Sequence, residues 1–240
     1  MFMEEKKLMD LIDELMTKLR STESARPRGR WVEAPKSKSS PPKKPRRSKT
    51  AYQLKISLSG FRPPIWRRVL VPGHATFDQL HLVIQEAMGW EQAHLYEFQF
   101  GEIVIGIPDD WGLHGFAKTL EDARRTTLEQ WLTEEKQKFV YIYDFGDYWR
   151  HNITVEKIET LSKPLERATC LKGKRACPPE DCGGVYGYLE LLESAANKDS
   201  LTDPELIERL EWLSDMKGDD FDPDAFDVEE ANKRLAYIRF

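Results

Sequence analysis

The sequence predicts an α+β protein: a mixed β-sheet with one helix packed on it, a β-grasp-like core, followed by a group of C-terminal helices. Three observations lead there. Stretches of period-two hydrophobicity begin at Tyr52 and return around residue 150, a well-capped amphipathic helix lies between the second and third of them, and beyond Ser162 the chain turns to helical periodicity. With 240 residues, 40% of them hydrophobic and 32% charged, the chain is long enough to bury a core under a heavily solvated surface.

The first element is helical. Leu8, Ile12, Leu15 and Leu19, widened by Leu11 and Met16, form an apolar stripe, so residues 1–20 are expected as an amphipathic helix that needs a surface to dock on. Residues 21–50 are rich in Pro, Ser, Lys and Arg, with Trp31 and Val32 their only bulky apolar side chains. Such a segment buries too little to offset the entropy of ordering and reads as a disordered basic linker. The folded domain is expected over 51–240.

Within that domain Tyr52, Leu54, Ile56 and Leu58 alternate with polar residues as a half-buried strand, and Ile65–Val71 forms a second, stopped by Pro72-Gly73. Thr76 and Gln79 make a capping box for a helix whose Leu80, Val83, Ile84, Ala87 and Met88 share one face and whose end is marked by Gly89. His94–Phe100 is expected as a third strand and Ile103–Ile105 as a fourth, followed by a loop over 106–115. A helix is expected around Leu120 to Leu132. Phe139–Phe145 is apolar on both faces, as a central strand would be, and after a turn at Gly146-Asp147 the chain returns as the strand 149–158. A cysteine-bearing loop then leads to helices near 185–197, 203–216 and 227–237, the last with Asp227 and Glu230 as a cap pair.

Charge is segregated along the chain. Residues 26–50 carry ten Lys and Arg against Glu33 alone, whereas residues 51–240 carry a net charge of −12. The basic segment, with Arg28, Arg30, Lys43, Lys44, Arg46 and Arg47 at its centre, has the composition of a flexible arm that binds nucleic acid without sequence preference through residues 26–49, or of a solubilising tether. The acidic domain would repel DNA and confine contact to the arm. No apolar run is long enough to span a membrane and the N-terminus has no continuous hydrophobic signal region, so a cytoplasmic protein with no membrane partner is expected. Three cysteines, an odd number, do not make a disulfide framework.

Five phrases taken together carry a resemblance. "PPIWRRVLVP" (63–72), "TFDQLHLVIQEAMGW" (76–90), "YDFGDYWRHNITVEKI" (143–158), "CLKGKRACPPEDCGGVYGYLELLE" (170–193) and "DPDAFDVEEAN" (222–232) resemble, in order, the plasmid pRiA4b ORF-3-like family. The resemblance covers about residues 51–237 and leaves out the first 50. It implies a protein of unassigned biochemistry met on plasmids and beside insertion elements, where some members are labelled TnpR-like passenger proteins. It implies no catalytic residues.

The residues themselves offer a few constellations. Asp144, Asp147 and His151 form an acidic and histidine-bearing turn of the kind that serves acid–base chemistry or holds a divalent cation. Yet His151 and His94 both fall on apolar strand faces, where a histidine is more often a core residue, and Asp residues flanking a glycine commonly close turns. Cys170, Cys177 and Cys182, completed by His151 or Asp181, are candidate zinc ligands, but their spacing lacks the paired ligands of structural zinc sites and fits a rigid loop better. Glu180 and Asp181 are candidate Mg²⁺ ligands with Asp144 or Asp147. Arg62, Arg67 and Arg68 beside Trp66 form the compact basic–aromatic patch of the domain, and Tyr148 and Trp149 are further candidate binding residues. The reading drawn from these is a protein- or nucleic-acid-binding accessory module with no cofactor, its protein partner unknown. The alternative is a metal-dependent hydrolase or nuclease, using Zn²⁺ or Mg²⁺, built on Asp144, Asp147 and His151.

Overall fold

The structure is a computed structural model that describes residues 47–108, 119–218 and 221–240. The helix expected over 1–20 and the linker up to residue 46 lie outside the described residues, as does most of the loop after residue 106. The elements in chain order are β1 (Thr50–Leu58), β2 (Ile65–Pro72), α1 (Phe77–Met88), β3 (Tyr96–Phe100), β4 (Ile103–Gly106), β5 (Thr119–Asp122), α2 (Leu128–Trp131), β6 (Lys138–Tyr143), β7 (Trp149–Thr160), β8 (Thr169–Lys174), α3 (Gly184–Ala196), a 3-10 turn at Lys198–Ser200, α4 (Pro204–Lys217) and α5 (Val228–Leu235). The strands form one mixed sheet in the order β5-β4-β3-β6-β7-β1-β2-β8. Only β4 and β5 run parallel; the other neighbours are antiparallel. The α+β class, the sheet with a packed helix and the C-terminal helices are all present.

Alternation along the strands decides which face is inside. Tyr52, Leu54 and Ile56 of β1, Ile65, Val69 and Val71 of β2, Tyr141 of β6 and Ile153 of β7 are buried together with Leu80, Val83, Ile84 and Ala87 of α1. Phe77, at the start of α1, meets Phe98, Phe100 and Phe139 edge-on at ring separations of 5.1, 5.6 and 6.3 Å. Each fully buried large apolar side chain here contributes about 1.5–3 kcal/mol relative to exposure.

The ends of α1 are fixed as the residues dictate. Gln79 N donates to Thr76 Oγ1 at 3.1 Å, Thr76 N donates to Gln79 Oε1 at 2.9 Å, and Gly89, left-handed at φ +96°, closes the C-terminus on Gln85 O. The last turn has no basic residue of its own. Two arginines from elsewhere take its terminal carbonyls: Arg67 Nε donates to Ala87 O at 2.9 Å and Arg234 Nε to Glu86 O at 3.0 Å.

Three local expectations are corrected. Residues 120–132 are not one helix: β5 pairs with β4, Asp122 Oδ1 turns the chain by accepting from Arg124 N at 3.0 Å, and the Thr127–Gln130 capping box then starts the four-residue α2. Cys170 lies in a strand rather than a loop, because β8 pairs with β2. A bulge between Arg68 and Val69 displaces Leu171 and hides the period-two signal. Strand β3 begins at Tyr96, so His94 precedes the ladder, although Asp144 N still donates to Leu95 O at 2.9 Å.

Candidate functional site

The face of the sheet opposite α1 carries an ordered set of charges. On β8, β2 and β1 the registers place Lys172 opposite Arg68 and Arg68 opposite Lys55; Lys55 then faces Thr154 of β7, which faces Lys138 of β6. At about 4.8 Å between strands, this row crosses five strands in roughly 19 Å. The next row sets Lys174 opposite Trp66, Trp66 opposite Ser57 and Ser57 opposite Asn152. All of these side chains are exposed or half-buried. Trp66 stands among the cations, with Lys55 Nζ 5.4 Å and the Arg68 guanidinium carbon 5.3 Å from its ring centre.

Glu156 is the acid within this set. It accepts from Arg68 Nη2 at 2.8 Å and from Gln53 Nε2 at 2.7 Å, and the Arg68 pair holds its carboxyl below the ordinary value. Lys55, Lys138, Lys172 and Lys174 have no ion-pair partner among the described residues. A domain that is acidic overall therefore presents one basic face.

Arg67 and Trp149 do not belong to that surface, which corrects their place among the binding candidates. Strand alternation turns Arg67 inward, where it is 1% exposed and donates to the carbonyls of Ala87, Trp66 and Lys174, with its guanidinium 3.8 Å over the Phe226 ring. Burial pulls it down to about 10. Trp149 is fully buried against Trp90 at 5.8 Å. Tyr148 is exposed at the tip of the β6–β7 turn.

His151 is likewise corrected as a candidate base. It is fully enclosed beside Tyr141 and Trp90, with Nδ1 3.0 Å from Trp149 O, and burial lowers it to about 3. It has no access to solvent or substrate. Asp147 is half-buried with Oδ2 closed off and unpaired. Asp144 is buried, and its Oδ1 closes the turn by accepting from Gly146 N at 2.8 Å.

A different histidine joins Asp144. His94 Nε2 lies 3.1 Å from Asp181 Oδ1 and 3.7 Å from Asp144 Oδ2, and one ligand atom from each of the three residues falls within 4.8 Å of the others. Tyr143 supports the group: its hydroxyl accepts from His94 N at 3.3 Å and donates to Glu180 Oε1 beside Asp181, and its ring meets the His94 ring edge-on at 5.8 Å. Glu180 also accepts from Glu91 N at 3.3 Å. The sequence reading left His94 out of the site because the contact joins the start of β3, the end of β6 and a loop more than thirty residues further on.

The three cysteines are free and buried, and no described ligand group includes them. Burial pushes Cys177 and Cys182 up to about 12, so both are protonated thiols. Cys182 Sγ rests 3.9 Å from Gly184 O, and Cys170 Sγ lies 3.8 Å from Lys172 O. Of the basic arm only its end is described, where Arg47 lies 3.7 Å from Glu166 in an exposed pair; Arg28, Arg30, Lys43, Lys44 and Arg46 lie outside the described residues. No described helix is long and apolar enough to cross a membrane.

Comparison with known proteins follows the same boundaries. The chain is 37% identical over 188 residues, 78% of its own length and 91% of the other's, to the uncharacterised protein y4hQ of Sinorhizobium fredii. Its fold matches the crystal structure of a protein of unknown function, MM3350 from Methanosarcina mazei Go1, with a TM-score of 0.64 and 38% identity over 75% of this chain and 96% of that one. The profile described as plasmid pRiA4b ORF-3-like protein matches residues 50–230, from the first residue of β1 into α5. The chain belongs to the plasmid pRiA4b ORF-3-like family.

Proposed function

We propose that the domain is an accessory binding module that holds single-stranded nucleic acid across the outer face of its sheet. The observation that carries this reading is the cross-strand row Lys172, Arg68 and Lys55. Like charges placed directly opposite one another weaken a sheet, so the fold alone gives no reason for the row. A phosphate backbone lying across it supplies the missing counter-charge, and Trp66 in the adjoining row offers a base a surface to stack on. The basic arm adds sequence-independent affinity. A hydrolase built on Asp144, Asp147 and His151 is the weaker reading, since His151 has no route to a substrate.

The test is fluorescence anisotropy of the full chain with a labelled single-stranded oligonucleotide over a salt series. Lys55→Gln with Lys172→Gln should weaken binding about tenfold and reduce the slope of log affinity against log salt by about 1.4, or 0.7 for each lost phosphate contact. Trp66→Ala should weaken binding without changing that slope. Unaltered affinity and slope in the double lysine variant would refute the reading.

A further inference from the structure

We propose that His94, Asp144 and Asp181 form a binding site for one divalent transition-metal cation of the Zn²⁺ or Mn²⁺ type. The inference stands apart from the outer-face reading and shares no residue with it.

The spacing fits a coordination sphere. With metal–ligand bonds of about 2.0–2.1 Å, neighbouring ligand atoms of a tetrahedral site stand about 3.4 Å apart. The separations from His94 Nε2 to the two carboxylate oxygens, 3.1 and 3.7 Å, lie on either side of that value. One imidazole with two carboxylates and no thiolate is a ligand set for Zn²⁺ or Mn²⁺ rather than for softer ions.

Two further observations separate the group from an ordinary surface histidine–carboxylate pair. His94 Nε2 is shut off from solvent and makes no aligned hydrogen bond, although both carboxylates are near. Asp144 is 7% exposed, yet no Lys or Arg among the described residues pairs with it. An orphaned imidazole nitrogen and a buried carboxylate without a cation are both costly, and one bound cation answers both. Neighbouring groups fix where the ligands stand: the Tyr143 hydroxyl accepts from the His94 backbone N and its ring lies edge-on to the imidazole, and Glu180, held by Tyr143, fixes the chain next to Asp181. The Asp181 side chain is 70% exposed, so the remaining coordination positions open to water on that side.

Isothermal titration of the untagged full chain, freed of metal by dialysis against chelator, with ZnCl₂ and separately with MnCl₂ tests the site. One equivalent of either ion should bind and raise the melting temperature. Asp181→Asn, a change at an exposed side chain, should weaken binding at least tenfold while leaving the metal-free melting temperature unchanged. His94→Ala should abolish the one-equivalent binding. Absence of binding at one equivalent, or variants that bind within tenfold of the parent, would overturn the assignment whether or not nucleic acid is bound.

Discussion

Lowering the pH from 7 to 5 should remove about 4 kcal/mol of the domain's stability through two histidines that carry none of the proposed functions. His81 of α1 is buried with its ring stacked on Tyr96 at 3.8 Å and Nδ1 2.7 Å from the Tyr141 hydroxyl, and His151 of β7 is fully enclosed. Burial lowers each from 6.5 to about 3. Between those values the unfolded chain binds more protons than the folded one. Stability is therefore unaffected above pH 6.5 and falls as the pH drops through the window from 6.5 to 3. At pH 5 the unfolded state gains about 1.36 kcal/mol per pH unit below 6.5, or about 2 kcal/mol for each histidine. Together they take a large share of the roughly 5–15 kcal/mol that holds a domain folded. Half-buried His74, lowered by the same desolvation, adds to the slope. Urea unfolding at pH 7, 6 and 5 stays above the reference carboxylate values of about 4, so the loss over that range is read chiefly from the histidines. His151→Leu should remove about half of the loss. The substitution also removes the Nδ1 hydrogen bond to Trp149 O, so it should lower stability at pH 7 by about 1–3 kcal/mol, and the test is read from the change between pH 7 and 5. A variant that loses as much stability as the parent between pH 7 and 5 would refute the assignment of the slope to buried neutral imidazoles.

Two structural predictions accompany it. Thr76→Ala removes the side-chain half of the α1 capping box and should cost about 1 kcal/mol, read from chemical denaturation at unchanged m-value. Gly187→Ala places a Cβ 2.0 Å from Cys182 O on the loop that α3 packs against, and should lower the melting temperature by about 5 °C; a variant melting with the parent would show that the loop yields freely.

The elements that were legible in the sequence are those whose signal is local. The strand at Tyr52–Leu58, the box at Thr76 and Gln79 and the stop at Gly89 depend on neighbours a few residues away, and all appear as read. Edge elements escaped. β5 has four residues with no buried position, and the bulge in β2–β8 breaks the alternation that would have announced β8. Both candidate sites are products of pairing. Arg67 and Arg68 are adjacent in sequence and alternation sends them to opposite faces, but only the placement of β2 beside β1 and β8 sets Arg68 between Lys55 and Lys172. Lys55 and Lys172 are 117 positions apart in the chain and share that row through Arg68 alone. His94 illustrates the same limit from the other direction: an apolar strand face explains His151 fully, whereas His94 leaves the ladder two residues before β3 begins and meets carboxylates from distant loops.

The lysines of an exposed sheet face have two ordinary explanations, and neither accounts for this row. One is protection of an edge against pairing with another chain, which suits Lys172 and Lys174 on the terminal strand β8. It says nothing of Arg68 on β2 or Lys55 on β1, whose strands are paired on both sides. The other is solubility, but residues 51–240 already carry −12, and lysines that neutralise a net negative charge reduce that repulsion rather than add to it. What remains is a cost to the sheet, partly offset where Glu156 pairs with Arg68 and attracts Lys55, and left open at Lys172. The Lys55→Gln and Lys172→Gln pair separates a functional origin from a structural one. Relief of like-charge contact should leave the variant as stable as the parent or slightly more so, by a few tenths of a kcal/mol, while its affinity for nucleic acid falls. A loss of stability on neutralising those charges would instead make the row part of the scaffold.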